Sequence, residues 1–225
     1  MLKALRAAEK SLRRVAWSCP RQLAALFRDE GGSETAAAGE RALAALYPDA
    51  AVRAAMTAYA RGDVPDALHK LSALRGKSDL VERIKVVDGR FREGQTALLR
   101  GALDRSDQLW GEALQADAAL MPRGADSFFA QQMRGSLSRA HANAGDDKLA
   151  RAQYAGAYDE WVKGLAFTPR DPHLLDQVAR MEKVAEGILG GNASCDQLAV
   201  AAHITRAERP SAAHQAAQDA LGRCR

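Results

Sequence analysis

The chain has 225 residues, of which 47% are hydrophobic and 27% charged, which excludes a disordered protein and fits a folded one with a continuous core. Aromatic residues make up only 5%, and strand-forming runs of Val, Ile and Thr are missing, so the expected fold is all-α. The formal net charge is +4, and no stretch approaches the roughly 20 consecutive apolar residues that span a bilayer.

The first thirty residues hold the whole excess of positive charge. Seven Lys and Arg side chains stand there against three acidic ones, so the rest of the chain is neutral overall. Leu2, Leu5 and Leu12 recur at helical spacing, which predicts a basic amphipathic helix over this segment. Two readings stay open: the helix packs on the first repeat with its charges in water, or it binds nucleic acid or an anionic membrane surface. The cations of that alternative surface are Lys3, Arg6, Lys10, Arg13 and Arg14.

Turn-forming residues divide the chain into about eleven helices joined by short loops. The turn segments are 29–33, 47–49, 61–63, 75–78, 121–124, 144–147, 168–172 and 190–194. Helix starts are marked by Asp63 ahead of Pro65 and by a capping box from Ser194 to Gln197. An extra helix is expected between residues 172 and 188.

Four turns share one local pattern, which predicts pairs of closely packed antiparallel helices. The turn positions are Gly62, Gly101, Gly145 and, with an acidic residue instead, Glu208. Seven residues before each turn lies a small residue, namely Ala55, Gly94, Ser138 or Ala201. Another small residue lies five residues after each turn, and a filler lies nine residues after it, namely Leu71, Trp110, Tyr154 or Ala217. Small residues on facing helices let the backbones approach, and the fillers occupy the remaining groove.

With these positions the chain resembles the tetratricopeptide repeat (TPR) family, whose unit is such a helix pair closed by a proline. The segment from Ala157 through Gly164 to Pro169 is similar to the second helix of that unit and its exit. The turns are separated by 39, 44 and 63 residues, whereas the family repeat is about 34. The resemblance therefore implies an irregular TPR-like solenoid over residues 31–225, preceded by the basic segment 1–30.

The resemblance implies a non-catalytic scaffold for protein–protein interaction, which binds a partner peptide or helix in a concave groove. Such a scaffold would belong to a larger assembly or signalling protein, and the Ala- and Arg-rich composition suggests a bacterial source. The residues that the resemblance places towards the groove are Val52, Met56, Tyr59, Phe91, Gln95, Leu98, Arg139 and Asn143. For each of them ordinary packing against a neighbouring helix is the alternative. The carboxylate clamp of some family members is not expected, because Met56, Gln95 and Ala142 do not complete it.

Sequence motifs for catalysis are missing, so neither an enzyme nor a cofactor nor a metal site is expected. None of the five histidines is paired with a Cys, Asp or Glu at a recognised metal-binding spacing. No glycine loop for phosphate and no nucleophile elbow is present. His141 lies on a helix face, where we expect a buried histidine with satisfied hydrogen bonds.

Cys195 and Cys224 begin and end the last predicted helix pair, so an antiparallel hairpin brings them together. They form either a disulfide, which implies an oxidising compartment such as a periplasm, or two separate thiols in a reducing cytoplasm. The basic start of the chain meets Arg13 and Arg14 before any apolar core, unlike a secretory signal. The default expectation is therefore cytoplasmic, and periplasmic if the chain is a fragment and the disulfide forms.

Overall fold

All regular secondary structure in the part of the chain that the structure describes is α-helical, which confirms the predicted fold class. The structure is a computed structural model and describes residues 32–189, 193–206, 212–222 and 224. Ten helices lie in these ranges: α1 (Gly32–Leu46), α2 (Ala50–Ala60), α3 (Val64–Ser72), α4 (Ser78–Leu99), α5 (Leu103–Ala118), α6 (Phe128–Ala150), α7 (Tyr154–Phe167), α8 (Pro172–Leu189), α9 (Cys195–Ile204) and α10 (Ala212–Gly222). None of these helices is long and apolar enough to cross a membrane.

The chain divides into two compact units. Of the described residues, 32–85 and 118–127 form the first unit, and 86–117 together with those from 128 onwards form the second. The predicted boundary between residues 30 and 31 falls next to the first described residue and stays a prediction.

The first unit is built around α2, which packs against α1 and α3. Asp49 caps the start of α2 and accepts hydrogen bonds from the backbone N–H groups of Ala51 and Val52 at 2.8 and 3.1 Å. Asp63 caps α3 in the same way, one residue before its first turn, as its position ahead of a proline predicts. The Tyr47 hydroxyl donates to the Leu120 carbonyl at 2.9 Å and so ties the end of α1 to segment 118–127.

Three helix hairpins, α2/α3, α4/α5 and α6/α7, have the same backbone turn. In each turn one residue adopts a positive φ: 85° at Gly62, 75° at Gly101 and 58° at Ala152. The residue after it donates a backbone hydrogen bond to the carbonyl five positions earlier, at 3.0, 3.0 and 2.9 Å respectively. These contacts satisfy the last carbonyls of the first helix and start the second helix directly afterwards.

The third turn lies seven residues later than the sequence predicts. Gly145 is buried inside α6 and forms no turn, and the chain reverses at residues 151–153 instead. The positive φ there belongs to Ala152, a residue type that rarely adopts it, so no glycine marks the turn. The small position and the filler of this hairpin are therefore Gly145 and Trp161, and not Ser138 and Tyr154.

In each of the hairpins α4/α5 and α6/α7, a glycine on the first helix packs against a tryptophan on the second. A Cβ atom at Gly94 would overlap the indole of Trp110, and a Cβ atom at Gly145 would overlap the indole of Trp161. Both indoles are almost fully buried, and each donates its N–H, Trp110 to the Phe91 carbonyl at 2.9 Å and Trp161 to the Asp146 carboxylate at 3.1 Å. The glycines are thus required for the close approach of the helices.

The C-terminal part of the second unit packs α7, α8 and α9 around one apolar core, and α10 packs against α8 and α9. Trp161 and Leu174 are the largest fully buried members of this core, and Met181 and Ile204 extend it into α8 and α9. The helix α8, Pro172–Leu189, agrees with the extra helix expected there. Ser194 and Gln197 form the predicted capping box of α9, with bonds of 2.9 and 3.3 Å.

Candidate functional site

The first unit contains an open cleft of about 1160 Å³ lined by α1, α2 and α3. Alanines supply much of its apolar lining, among them Ala44, Ala54 and Ala58, and their short side chains leave the volume free. Small-molecule sites typically enclose about 300–1,000 Å³. A cleft of this size and openness suits a peptide segment better than a compact metabolite.

Cationic side chains dominate the accessible chemistry of this cleft. Arg41, Arg53 and Arg61 line it, and none of them forms an ion pair with a residue that the structure describes. Arg53 donates two long hydrogen bonds of 3.4 Å, to the backbone carbonyls of Tyr47 and Pro48, and its charge interacts at longer range with the Asp49 carboxylate.

The acidic side chains of the cleft are mostly engaged. Lys70 forms an ion pair with Asp66 one turn earlier on α3, and Asp63 is the cap of that helix. Glu40 lines the cleft as well, so four cationic and three acidic side chains meet there. Asp66 is paired with Lys70, so the lining as a whole has one more cation than carboxylates, and its three arginines form no ion pair with a described residue.

The structure corrects the predicted groove on α2. Val52, Met56 and Tyr59 are core residues, with exposures of 3%, 0% and 0%, and they do not line an open surface. They share one helical stripe, and in this protein that stripe faces inwards. The accessible side of α2 carries Arg53 instead, and Arg61 directly follows the helix.

The predicted groove residues of the second unit have mixed positions. Phe91 is half-buried: its ring stacks on Trp110 at 6.0 Å and meets Phe129 edge to face at 5.1 Å. Leu98 is half-buried too, whereas the remaining three are exposed, namely Gln95, Arg139 and Asn143. The described contacts do not bring these residues together in one site.

A buried polar network joins α5, α6 and α7, and its centre is His141. With an exposure of 1%, the ring places Nδ1 2.7 Å from Glu160 Oε2 and Nε2 3.1 Å from Asp107 Oδ1. Phe167 stacks on the ring at a centroid distance of 5.8 Å. Both ring nitrogens thus have a carboxylate oxygen within hydrogen-bond distance. The network connects three helices around the buried His141 ring.

Glu160 is the most strongly perturbed group of this network. Burial disfavours its charged form, but hydrogen bonds from Lys148 at 2.7 Å and from His141, together with the charge of Lys163, outweigh that cost and lower its pKa to about 2. The prediction of a satisfied buried His141 agrees with this geometry. Its partner Asp107 lies 34 positions away in the sequence, and no local motif indicates that pairing.

Cys195 and Cys224 form a disulfide between the start of α9 and the residue 224 that follows α10, with Cα atoms 5.8 Å apart. This is the pairing that the predicted hairpin suggests. Within the described ranges no three His, Cys, Asp or Glu side chains are grouped so that they would hold a metal ion. The cations Lys3, Arg6, Lys10, Arg13 and Arg14 and the thiol of Cys19 lie outside the described residues.

No protein-family model, curated protein or solved structure matches this chain. Its function is therefore inferred from its own residues.

Proposed function

We propose that this chain is a non-catalytic, TPR-like helical-repeat module that binds an acidic segment of a protein partner in the cleft of the first unit. The observation that carries the proposal is the free positive charge of Arg41, Arg53 and Arg61 around a cleft of about 1160 Å³. Guanidinium groups bind carboxylates in a bidentate manner, and the arginines stand on two different helices, so several carboxylates are needed to satisfy them.

The charge of the chain supports an acidic partner. Residues 1–85 contain fifteen Lys and Arg against ten Asp and Glu. Four of these five excess positive charges belong to residues 1–30, which lie outside the described residues. A net positive charge raises the association rate of an anionic partner at low salt.

Charge reversal at the cleft tests this proposal. A fluorescein-labelled peptide that contains a run of glutamates is titrated against the full chain and against an Arg41→Glu, Arg53→Glu, Arg61→Glu variant, with anisotropy as the readout. We expect the wild type to bind and the variant to lose at least about tenfold in affinity.

The matched control reverses the same number of charges away from the cleft, at Arg75, Arg100 and Arg123, which are all exposed. It should bind the acidic peptide nearly as well as the wild type. If both triple variants lose affinity for the peptide equally, the loss comes from the change in net charge, and a binding site in the cleft is contradicted. A pull-down with the wild type and the two triple variants identifies the partner as the protein that the cleft variant fails to capture. A Tyr59 variant is unsuitable for this purpose, because Tyr59 is in the core.

A second candidate function is binding of nucleic acid or of an anionic membrane surface, which the charge of residues 1–30 favours. Replacement of Lys3, Arg6, Lys10, Arg13 and Arg14 by Gln tests it. Binding to duplex DNA or to phosphatidylserine vesicles should fall steeply with salt and vanish in that variant. Binding that is unchanged in the Gln variant would refute this function.

The disulfide supports an oxidising compartment such as a periplasm, which we propose as the location of the second unit. Cytosolic proteins seldom keep structural disulfides. Alkylation of free thiols in freshly lysed source cells, followed by mass spectrometry, should find Cys195 and Cys224 protected. Quantitative alkylation of both would place the chain in a reducing compartment.

A further inference from the structure

A second recess, of about 510 Å³, lies in the second unit, where the start of α7, the second half of α8 and α9 line it. Its lining is mainly apolar and includes Met181, Val200 and Ile204. Tyr154 and Val184 also line it although 46% and 56% of their surface is exposed. Exposed large apolar side chains beside a concave apolar surface are typical of a binding site.

The lining of this recess contains one carboxylate and no basic side chain. Asp196 is the one ionisable side chain in its lining apart from the Tyr154 phenol, and it forms no ion pair with any described residue. The neighbouring residues of the chain carry both signs, with Arg151, Arg180 and Lys183 against Glu182 and Glu186, so the charge preference of the recess comes from Asp196. An apolar recess with an uncompensated carboxylate fits a ligand that combines apolar groups with positive charge.

We propose that this recess docks the apolar face of a basic amphipathic helix from a partner protein. Apolar side chains one turn apart on such a helix would contact Val184, Val200 and Tyr154, and a Lys or Arg on its flank would pair with Asp196. An anionic membrane surface is disfavoured as the occupant, because the Asp196 carboxylate would repel it. The inference goes beyond the proposed function, since it gives the chain a second site with the opposite charge preference.

The disulfide holds the polar wall of this site in place. Cys195 is the first residue of α9, and Asp196 and Gln197 follow it directly in the lining. The Gln197 side chain is engaged in the capping box, which leaves Asp196 as the group that can recognise a cation. Both the cap and the disulfide fix the first turn of α9, so the carboxylate is preorganised for binding.

The experiment uses the full chain and two fluorescein-labelled helical peptides of about 18 residues, each with leucine at spacings of three and four. One peptide carries lysine at its polar positions and the other carries glutamate. The pocket variants are Val184→Asp and Asp196→Lys. Matched controls are Val162→Asp on α7, where the valine is 43% exposed and outside the recess, and Asp147→Lys on α6.

We expect the leucine–lysine peptide to bind the wild type and both controls, and each pocket variant to lose at least about tenfold in affinity. The leucine–glutamate peptide should not bind the recess. The proposal is overturned if Val184→Asp and Val162→Asp bind the lysine peptide equally. It is also overturned if the glutamate peptide binds as tightly as the lysine peptide to the Arg41→Glu, Arg53→Glu, Arg61→Glu chain, in which the cleft no longer attracts glutamate. Circular dichroism melts establish that all variants are folded. The triple arginine variant of the cleft should still bind the lysine peptide, so failure of the proposed function leaves this test intact.

Discussion

Adding one methyl group at Gly145 should destabilise the protein, although alanine is the better helix former. In an open helix interior, Gly→Ala stabilises by about 0.5–1 kcal/mol. At Gly145 the new Cβ would overlap three atoms of the Trp161 indole, among them Cε2 at 2.9 Å. The indole is fully buried and hydrogen-bonded to Asp146, so it has little freedom to move.

The matched variant is Gly135→Ala in the same helix, where a Cβ meets nothing within 4 Å. Because both substitutions gain the same helix propensity, their difference in unfolding free energy isolates the overpacking term, about 1–3 kcal/mol. We expect Gly135→Ala to raise the urea midpoint and Gly145→Ala to lower it. In melting temperature, each kcal/mol corresponds to about 2–4 °C for a chain of this length.

Replacing Trp161 by a smaller side chain should abolish the destabilisation that Gly145→Ala causes. In a Trp161→Leu background the substitution Gly145→Ala should become as favourable as Gly135→Ala, because no indole remains for the Cβ to meet. If Gly145→Ala instead stabilises the wild-type chain, the helices do not approach closely at this point. The proposed Gly–Trp contact would then be wrong.

Three further predictions concern other contacts. Stability that Glu160 contributes should be complete above its ordinary pKa of 4.5 and be lost as the pH falls towards its folded value of about 2, so urea midpoints of wild type and Glu160→Gln should differ at pH 7 and converge near pH 2. Reduction of the disulfide should speed amide hydrogen exchange in α10 but not in α3, and equal protection of α10 in both redox states would refute this. Ala152→Gly should stabilise by about 1 kcal/mol in urea unfolding, because alanine is disfavoured at its φ of 58°, and a loss of stability would contradict the turn assignment.

The sequence predicts two of the three hairpin turns correctly because glycine marks them. Gly62 and Gly101 each follow the small residue by seven positions, and both adopt the positive φ that this spacing suggests. The third hairpin carries a second small residue, Ser138, one heptad before Gly145. A shift by seven residues, about two helical turns, keeps the same face, so the pattern alone does not distinguish the two registers. With alanine at the true turn, the decisive glycine signal is missing.

The position of the accessible surface is harder to predict than the helices. Val52, Met56 and Tyr59 form a regular stripe, and periodicity identifies such a stripe without telling whether a neighbouring helix or a partner covers it. The same limit applies to His141, whose carboxylate partners lie on two other helices, 34 and 19 positions away. Cys195 and Cys224 are the exception, because one hairpin alone determines their proximity.

The two proposed sites should respond differently to salt, and this difference follows from how each is built. Binding in the cleft relies on arginines that are mostly exposed, where screening acts over about 10 Å at 0.1 M salt. Binding in the recess relies largely on burial of Val184 and its apolar neighbours, which salt does not weaken, with Asp196 adding a smaller screened contribution. Raising the salt concentration should therefore release the glutamate-rich peptide from the cleft well before the leucine–lysine peptide leaves the recess. A parallel decline of both affinities would mean that the recess attracts its ligand by charge alone, and its apolar lining would then need another explanation.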